Sequence, residues 1–284
     1  MLKAYYSTLK PERTLANVMM TLAGFLFASR WDIDWVLLLA TVVGTTCIVA
    51  SACAVNNCTD RGIDTQMPRT KKRPLVTRQL PVFNVVIVAV LLGAVGFWLL
   101  ITYVNWLTVL IGVIGYIDYV VLYGWSKRHS VHSTLIGTIS GAAPLVAGYT
   151  AIVNSFDITA LLLALIMVFW QMAHFYAIGI FRHDDYKAAD LPIWPVQRGI
   201  ANTQNWMLTY IVLYLAALFA LWLTGGLGYI YLAVVEASGL YWLIFGLRRL
   251  KSLQPVQWAR SMFGLSLVVL LVLSAALAVG PVLI

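Results

Sequence analysis

Oxygen-bearing side chains gather in two short stretches of this sequence, with a spacing that suits a divalent cation and a phosphate group. The first stretch reads Asn56-Asn57-Cys58-Thr59-Asp60-Arg61-Gly62-Ile63-Asp64. If the apolar helix before it continues, Asn57, Asp60 and Asp64 fall at i, i+3 and i+7, within an arc of about 60° over two turns. Two carboxylates and a carboxamide stacked in this way offer oxygen ligands to a hard cation such as Mg²⁺. Arg69, Lys71, Lys72 and Arg73 follow closely. Fixed positive charge beside such carboxylates is the arrangement expected for a diphosphate.

The second stretch is Phe181-Arg182-His183-Asp184-Asp185-Tyr186-Lys187-Ala188-Ala189-Asp190, closed by Pro192. It is expected to extend an apolar helix. On such a helix Trp170, His174 and Asp185 share a face, with His174 and Asp185 within about 20° and roughly 16 Å apart along the axis. A third group, Tyr123 with Lys127 at i+4 and then Arg128, could hold a phosphate oxygen. An aromatic-belt Tyr beside a snorkelling Lys explains that pair equally well. Asn17, Asp118, Gln171 and Glu236 are further polar residues inside apolar runs; no partner is evident for Asp118 or Glu236.

The elements that must position these groups follow from composition. The chain has 284 residues, of which 61% are hydrophobic and 11% charged, with a formal net charge of +8. Its mean hydropathy is +0.86. A chain this apolar cannot cover one soluble core with polar surface, which excludes an ordinary cytosolic enzyme, a disordered chain and a nucleic-acid module. Apolar runs predict an all-α polytopic membrane protein, one domain over 1–284, with nine spans near 14–29, 35–57, 82–101, 105–123, 133–153, 158–180, 205–223, 227–246 and 262–282.

Nine spans place 18 of the 19 Lys and Arg on one side, Arg30 alone falling on the other. The positive-inside rule then sets the N-terminus in the cytoplasm and the C-terminus opposite, and explains the basic balance without a nucleic acid. Both acidic stretches lie on the cytoplasmic side, so they could meet across one cavity. The first span is expected to remain uncleaved, because Ala28-Ser29-Arg30 is a poor processing site. Cys47, Cys53 and Cys58 are expected to pack as small apolar groups. A cation transporter would also use acidic residues in spans, but its sites lie near the midplane and these lie at the helix ends.

The combination of Asn57-x-x-Asp60-x-x-x-Asp64, Arg73-Pro74, Tyr123-x-x-x-Lys127-Arg128 and a second acidic loop resembles the UbiA-type intramembrane prenyltransferases. The resemblance runs from Lys10-Pro11 and Asn17 to the last helix. Within that family the chain is similar to the heme-farnesylating branch. Gly137-x-x-x-Gly141-Ala142-x-Pro144-x-x-x-Gly148-Tyr149, Trp170-Gln171-x-x-His174-Phe175, Asp185-Tyr186-x-x-Ala189 and Ser130 to Gly137 carry that likeness. Ala173 stands where the family usually has Pro, and Asp190 where it has Gly or Asn. The usual spacing of the second acidic motif is absent, so the metal ligand among Asp184, Asp185 and Asp190 stays open.

The resemblance implies nine helices around a central cavity in a bacterial inner membrane, with Mg²⁺ as cofactor and farnesyl diphosphate and heme b as substrates. Mg²⁺ would lie on Asn57, Asp60, Asp64 and Asp184 or Asp185, and the diphosphate on Arg69, Arg73, Tyr123, Lys127 and Arg128. Asp60, Asp64, Asp185 and Lys127 would be catalytic, while His174 and Trp170 would contact heme. The product, heme O, would pass to a heme-copper oxidase or a heme A synthase. A quinone precursor or lipid acceptor would use the same diphosphate site without the heme contacts.

Overall fold

The structure is a computed structural model that describes residues 2–282; Met1, Leu283 and Ile284, part of the expected domain, lie outside the described residues. Fourteen α-helices follow in order. They are α1 (Leu2–Thr8), α2 (Pro11–Ser29), α3 (Trp35–Thr59), α4 (Arg61–Asp64), α5 (Val82–Tyr103), α6 (Trp106–Ile117) and α7 (Tyr123–His129). After these come α8 (Ser133–Val153), α9 (Ile158–Phe181), α10 (His183–Ala188), α11 (Trp194–Arg198), α12 (Ile200–Leu223), α13 (Tyr229–Arg249) and α14 (Pro255–Val279).

Among the described residues, eight helical segments are long and apolar enough to cross a membrane. The chain therefore reads as a multi-pass membrane protein. The first of the nine expected spans, α2, is a 19-residue helix but is not among the eight. Its first two turns hold Glu12, Arg13 and Asn17, and these lower its hydropathy.

Side-chain caps start several helices. Asp34 accepts from the Val36 and Leu37 amides at the head of α3, Asn105 from Thr108 at α6, and Asp157 from Ala160 at α9. Each capping oxygen satisfies amides that the first turn leaves unpaired. Asp34 and Asp157 thus have structural work away from the two acidic stretches.

Packing follows small residues. In α5 the buried positions are Val85, Ala89, Gly93, Gly96 and Leu100, one stripe at helical spacing turned toward α3. The other faces of α5 carry exposed Phe83, Leu91 and Trp98, as expected where lipid is the solvent. Helices α2 and α8 approach through Gly24 and Gly148. A Cβ on Gly24 would lie 2.1 Å from the Leu145 carbonyl oxygen, and one on Gly148 2.0 Å from that of Thr21. Only glycine allows backbone to meet backbone here.

Two breaks matter for the site. Between α6 and α7 the helix takes one wider π-type turn over Asp118–Leu122, so the rod runs unbroken from 106 to 129 instead of ending near 123. Asp118 Oδ2 accepts the Ser140 amide of α8 at 2.9 Å, which gives that buried carboxylate a structural partner. By contrast α9 stops at Phe181, because Arg182 leaves helical geometry at φ −112° and ψ 16°. The expected continuous helix through Asp185 is therefore two helices, and His174 and Asp185 do not share one straight face.

Candidate active site

The first acidic stretch folds nearly as its spacing predicts. α3 ends at Thr59, yet Asp60 keeps helical dihedrals (φ −82°, ψ −6°) and α4 carries on to Asp64. Asp64 is buried and Asp60 partly buried, and both are held by cations. Asp64 Oδ2 takes Arg73 Nη1 at 2.7 Å, its side chain 3% exposed. Lys127 Nζ bonds Asp60 Oδ1, and Arg128 Nη2 lies 3.7 Å from the same oxygen. Arg128 also donates to the Thr59 carbonyl at 2.7 Å. The extension of α7 beyond residue 123 is what brings Lys127 and Arg128 to Asp60.

Asn57 completes this cluster. Its Nδ2 donates to the Thr8 carbonyl at 2.6 Å, while its Oδ1 is buried without a partner. Asn57 also lines a cavity of about 540 Å³, whose wall includes Lys10, Asp64, Arg69, Lys72 and Arg73. An unpaired buried oxygen is costly unless something binds it. Oxygen donors of this kind suit a hard cation, and Mg²⁺ usually takes one or two carboxylates with the rest from water and phosphate. The donor set fits such an ion. Asp60, Asp64, Asp184 and Asp185 are not gathered into one preformed ligand cluster: among the described residues no three His, Cys, Asp or Glu groups stand together as metal ligands. The physical reason is local, since Asp60 and Asp64 are neutralised by Lys127, Arg128 and Arg73.

The second stretch lies against the first. Met67 packs with Ala189, Leu191 and Ile193, flanked by Ile63 and Tyr186, so an apolar cluster joins the two loops. Asp185 is only loosely tied: its Oδ2 is 3.6 Å from Arg182 Nη1 and has no hydrogen bond. Asp184 is fully exposed beside His183, outside the cluster. Asp190 has φ +50°, a left-handed turn before Leu191-Pro192. Gly, Asn and Asp adopt that conformation most readily, which accounts for the residue type at this position by backbone geometry.

Several site residues escaped the sequence reading. Lys10 precedes α2 in the left-handed region at φ 50°, a strained conformation for this residue type. Its Nζ donates to Asn56 Oδ1 at 2.5 Å and lies 3.4 Å from the Tyr119 hydroxyl. Burial, with the Arg13 charge next, pushes the Lys10 ammonium down to about 7. Arg13 Nη1 is also 3.4 Å from that hydroxyl. Tyr119 stacks on Tyr123 at 5.8 Å, and Lys127 Nζ sits 5.5 Å from the Tyr123 ring centre. The i, i+4 spacing of Tyr119 and Tyr123 was the available signal. Lys10 and Arg13 had none beyond their charge.

A second cavity, of about 550 Å³, adjoins the first; Glu12 and Arg13 line both. Its wall is mostly apolar and includes Met20, Ile48, Met167, Trp170, His174 and Phe263. Trp170 and His174 stack at 4.7 Å with planes 19° apart. The arrangement can hold a charged head group in one chamber and a long apolar or aromatic body in the next.

Residues 17–279 match the model of the UbiA prenyltransferase family. The chain is 43% identical over 279 residues to the protoheme IX farnesyltransferase of Pseudomonas syringae pv. tomato, covering 98% of this chain and 95% of that one. Among solved structures, digeranylgeranylglyceryl phosphate synthase superposes with a TM-score of 0.83 at 16% identity, covering 100% of this chain and 99% of the other. A UbiA homologue from Archaeoglobus fulgidus bound to GPP and Mg²⁺ gives a TM-score of 0.74 at 14% identity, over 97% and 99%.

Proposed function

The chain belongs to the UbiA prenyltransferase family, and on that premise we propose that it transfers the farnesyl group of farnesyl diphosphate to a vinyl group of heme b, with addition of water. The observation that carries this reading is the pair of adjoining cavities, one lined by cations and oxygen donors and the other by apolar and aromatic side chains, with Glu12 and Arg13 common to both. The named activity of the Pseudomonas syringae relative supports heme as acceptor.

Asn57, Asp60, Asp64 and Asp185 would hold Mg²⁺, which when bound offsets the charge that builds on the diphosphate as the C–O bond breaks. Arg69, Arg73, Lys127 and Arg128 take phosphate oxygens, with Tyr123 as hydrogen-bond donor and Lys10 and Arg13 closing the same wall. Lys127 and Arg73 exchange a carboxylate for a phosphate oxygen in doing so. The bonding pair leaves with the diphosphate. Apolar side chains of the second cavity keep water from the allylic cation until the vinyl π pair attacks its C1. Water then adds to the carbon next to the porphyrin and loses a proton, giving heme O. Trp170 packs on the ring and His174 contacts its iron.

The same reading carries the topology: one domain of nine spans including α2, a central cavity, the N-terminus in the cytoplasm and the C-terminus on the periplasmic side of a bacterial inner membrane. The polar start of α2 fits this, since Glu12 and Arg13 line both cavities. A heme-copper oxidase or a heme A synthase would receive the product. Mass spectrometry after incubating purified protein with heme b, farnesyl diphosphate and Mg²⁺ tests the assignment. The expected product is heme b enlarged by one farnesyl group and one hydroxyl group. Unmodified heme beside a farnesylated quinone precursor, when both acceptors are offered, would overturn it.

A further inference from the structure

Ser266, on α14, is fully buried and makes three polar contacts. Its hydroxyl donates to the Phe263 carbonyl at 2.6 Å. Its oxygen lies 2.7 Å from His174 Nδ1. Its own carbonyl accepts the Trp170 indole Nε1–H at 2.9 Å. A serine hydroxyl has a single hydrogen. With that hydrogen on the Phe263 carbonyl, the oxygen is an acceptor toward His174 and Nδ1 brings the proton.

Among the described residues no carboxylate hydrogen-bonds His174, and a neutral imidazole carries one N–H. Nε2 then holds a bare lone pair. His174 lines the apolar cavity, and its ring is fixed between Trp170 at 4.7 Å and Phe263 at 4.8 Å. Ser266 holds the indole and the imidazole at once, so plane and tautomer are set by the same residue.

We propose that Ser266 is a positioning residue that locks His174 in the Nδ1–H tautomer, so that Nε2 faces the cavity as a ligand for the iron of a metalloporphyrin. This deepens the proposed function and rests on it for the identity of the ring. A nitrogen lone pair on an aromatic wall suits a flat, metal-centred macrocycle. It also excludes His174 as a proton donor to the substrate from Nε2. Metal-binding histidines commonly donate the other ring N–H to a neighbouring group, which fixes orientation and raises basicity.

The first arm of the test needs no heme. In protein labelled with ¹⁵N-histidine, with the His174 signals assigned through a His174→Gln variant, Nδ1 is expected protonated and Nε2 bare. A proton on Nε2 in the wild type would overturn the proposal. Ser266→Ala is expected to give mixed tautomers, and Ser266→Thr to restore the single one. The second arm titrates ferric heme b. Ser266→Ala is expected to weaken heme binding roughly 10–100-fold and to shift the heme absorption band, with recovery in Ser266→Thr. The KM for farnesyl diphosphate is expected to stay unchanged. A heme spectrum indifferent to His174→Ala would overturn the ligand assignment even with the tautomer intact. Failure of heme as acceptor is read separately, from the product masses.

Discussion

The two acidic loops meet at one end of the helix bundle through Met67, Ala189, Leu191 and Ile193, yet they are built in opposite ways. In the first, each carboxylate is clamped, the buried Asp64 by Arg73 and the partly buried Asp60 by Lys127 and Arg128. In the second, Asp185 is loosely tied and Asp184 is bare to solvent. A buried carboxylate must be compensated or it destabilises the fold. The fold therefore supplies the first loop with countercharges, Arg73 from the loop itself and Lys127 and Arg128 from α7, and those same cations are the ones a diphosphate would need. Substrate arrival there is an exchange of partners within a preformed cluster. The second loop brings oxygens that are held only at a distance, Asp185 by Arg182 at 3.6 Å.

The contrast breaks if the two loops respond alike to loss of charge. Asp60→Asn and Asp64→Asn are expected to lower kcat by roughly 10²–10³, the scale for removing one electrostatic stabiliser of a charged transition state. Asp185→Asn is expected to cost about tenfold, equivalent to about 1.4 kcal/mol. Steady-state rates of prenylated product in variants that retain the wild-type gel-filtration profile measure both. Equal losses in the two loops would erase the distinction. Stability sharpens it from the cation side. Arg73→Ala strands the buried Asp64 carboxylate, at a cost of about 3 kcal/mol. Arg182→Ala, beside the looser Asp185, is expected to stay within about 0.5 kcal/mol. Thermal unfolding in detergent would report the difference.

Much of the first loop was legible because its chemistry is local. Asn57, Asp60 and Asp64 are neighbours in sequence, and helical periodicity alone puts them on one side. The second loop was less so, since one backbone angle at Arg182 undoes the expected shared face of His174 and Asp185. Hydropathy marks where a helix leaves the apolar region but not where its hydrogen bonds stop, and so only the i, i+4 spacing of Tyr123 and Lys127 pointed to the run of α7 to His129. The π-type turn at Asp118 has no composition signal. Ser266 is 92 residues from His174, and no pattern short of the fold joins them. Asp190 shows the reverse case: its departure from the family pattern reads as a ligand candidate in sequence and as a left-handed turn in structure.

Lys10 extends the first loop's logic to pH. Burial holds its ammonium near 7 against an ordinary value of 10.5, so the cation is present below about 7 and lost above it. Between these values the unfolded chain binds a proton that the folded one does not, so this residue's contribution to stability rises as pH rises from about 7 to 10.5. Anion binding runs the other way, because a phosphate oxygen favours the protonated form. The affinity for a non-hydrolysable prenyl diphosphate is expected to weaken roughly fivefold from pH 7 to 8, where phosphoryl oxygens are already ionised. Lys10→Met should bind more weakly at pH 7 and lose most of that slope. A slope unchanged by the substitution would remove Lys10 from the anion site.

The smallest expected effect lies at the residue next to Asp185. Asp184 has its whole side chain in solvent, its one contact being a 3.2 Å approach to His183 Nδ1. Water screens such a charge from the cluster, so Asp184→Asn is expected to change kcat and KM by no more than about twofold, the scale of a surface substitution. The comparison with Asp185→Asn is made on neighbouring residues of one short helix, which controls for helix propensity and net charge. What differs is exposure: the Asp185 side chain is 20% exposed and that of Asp184 lies wholly in solvent. A loss at Asp184 equal to that at Asp185 would mean that the loop turns over when substrate binds, and the preformed cluster would then belong to the first loop alone.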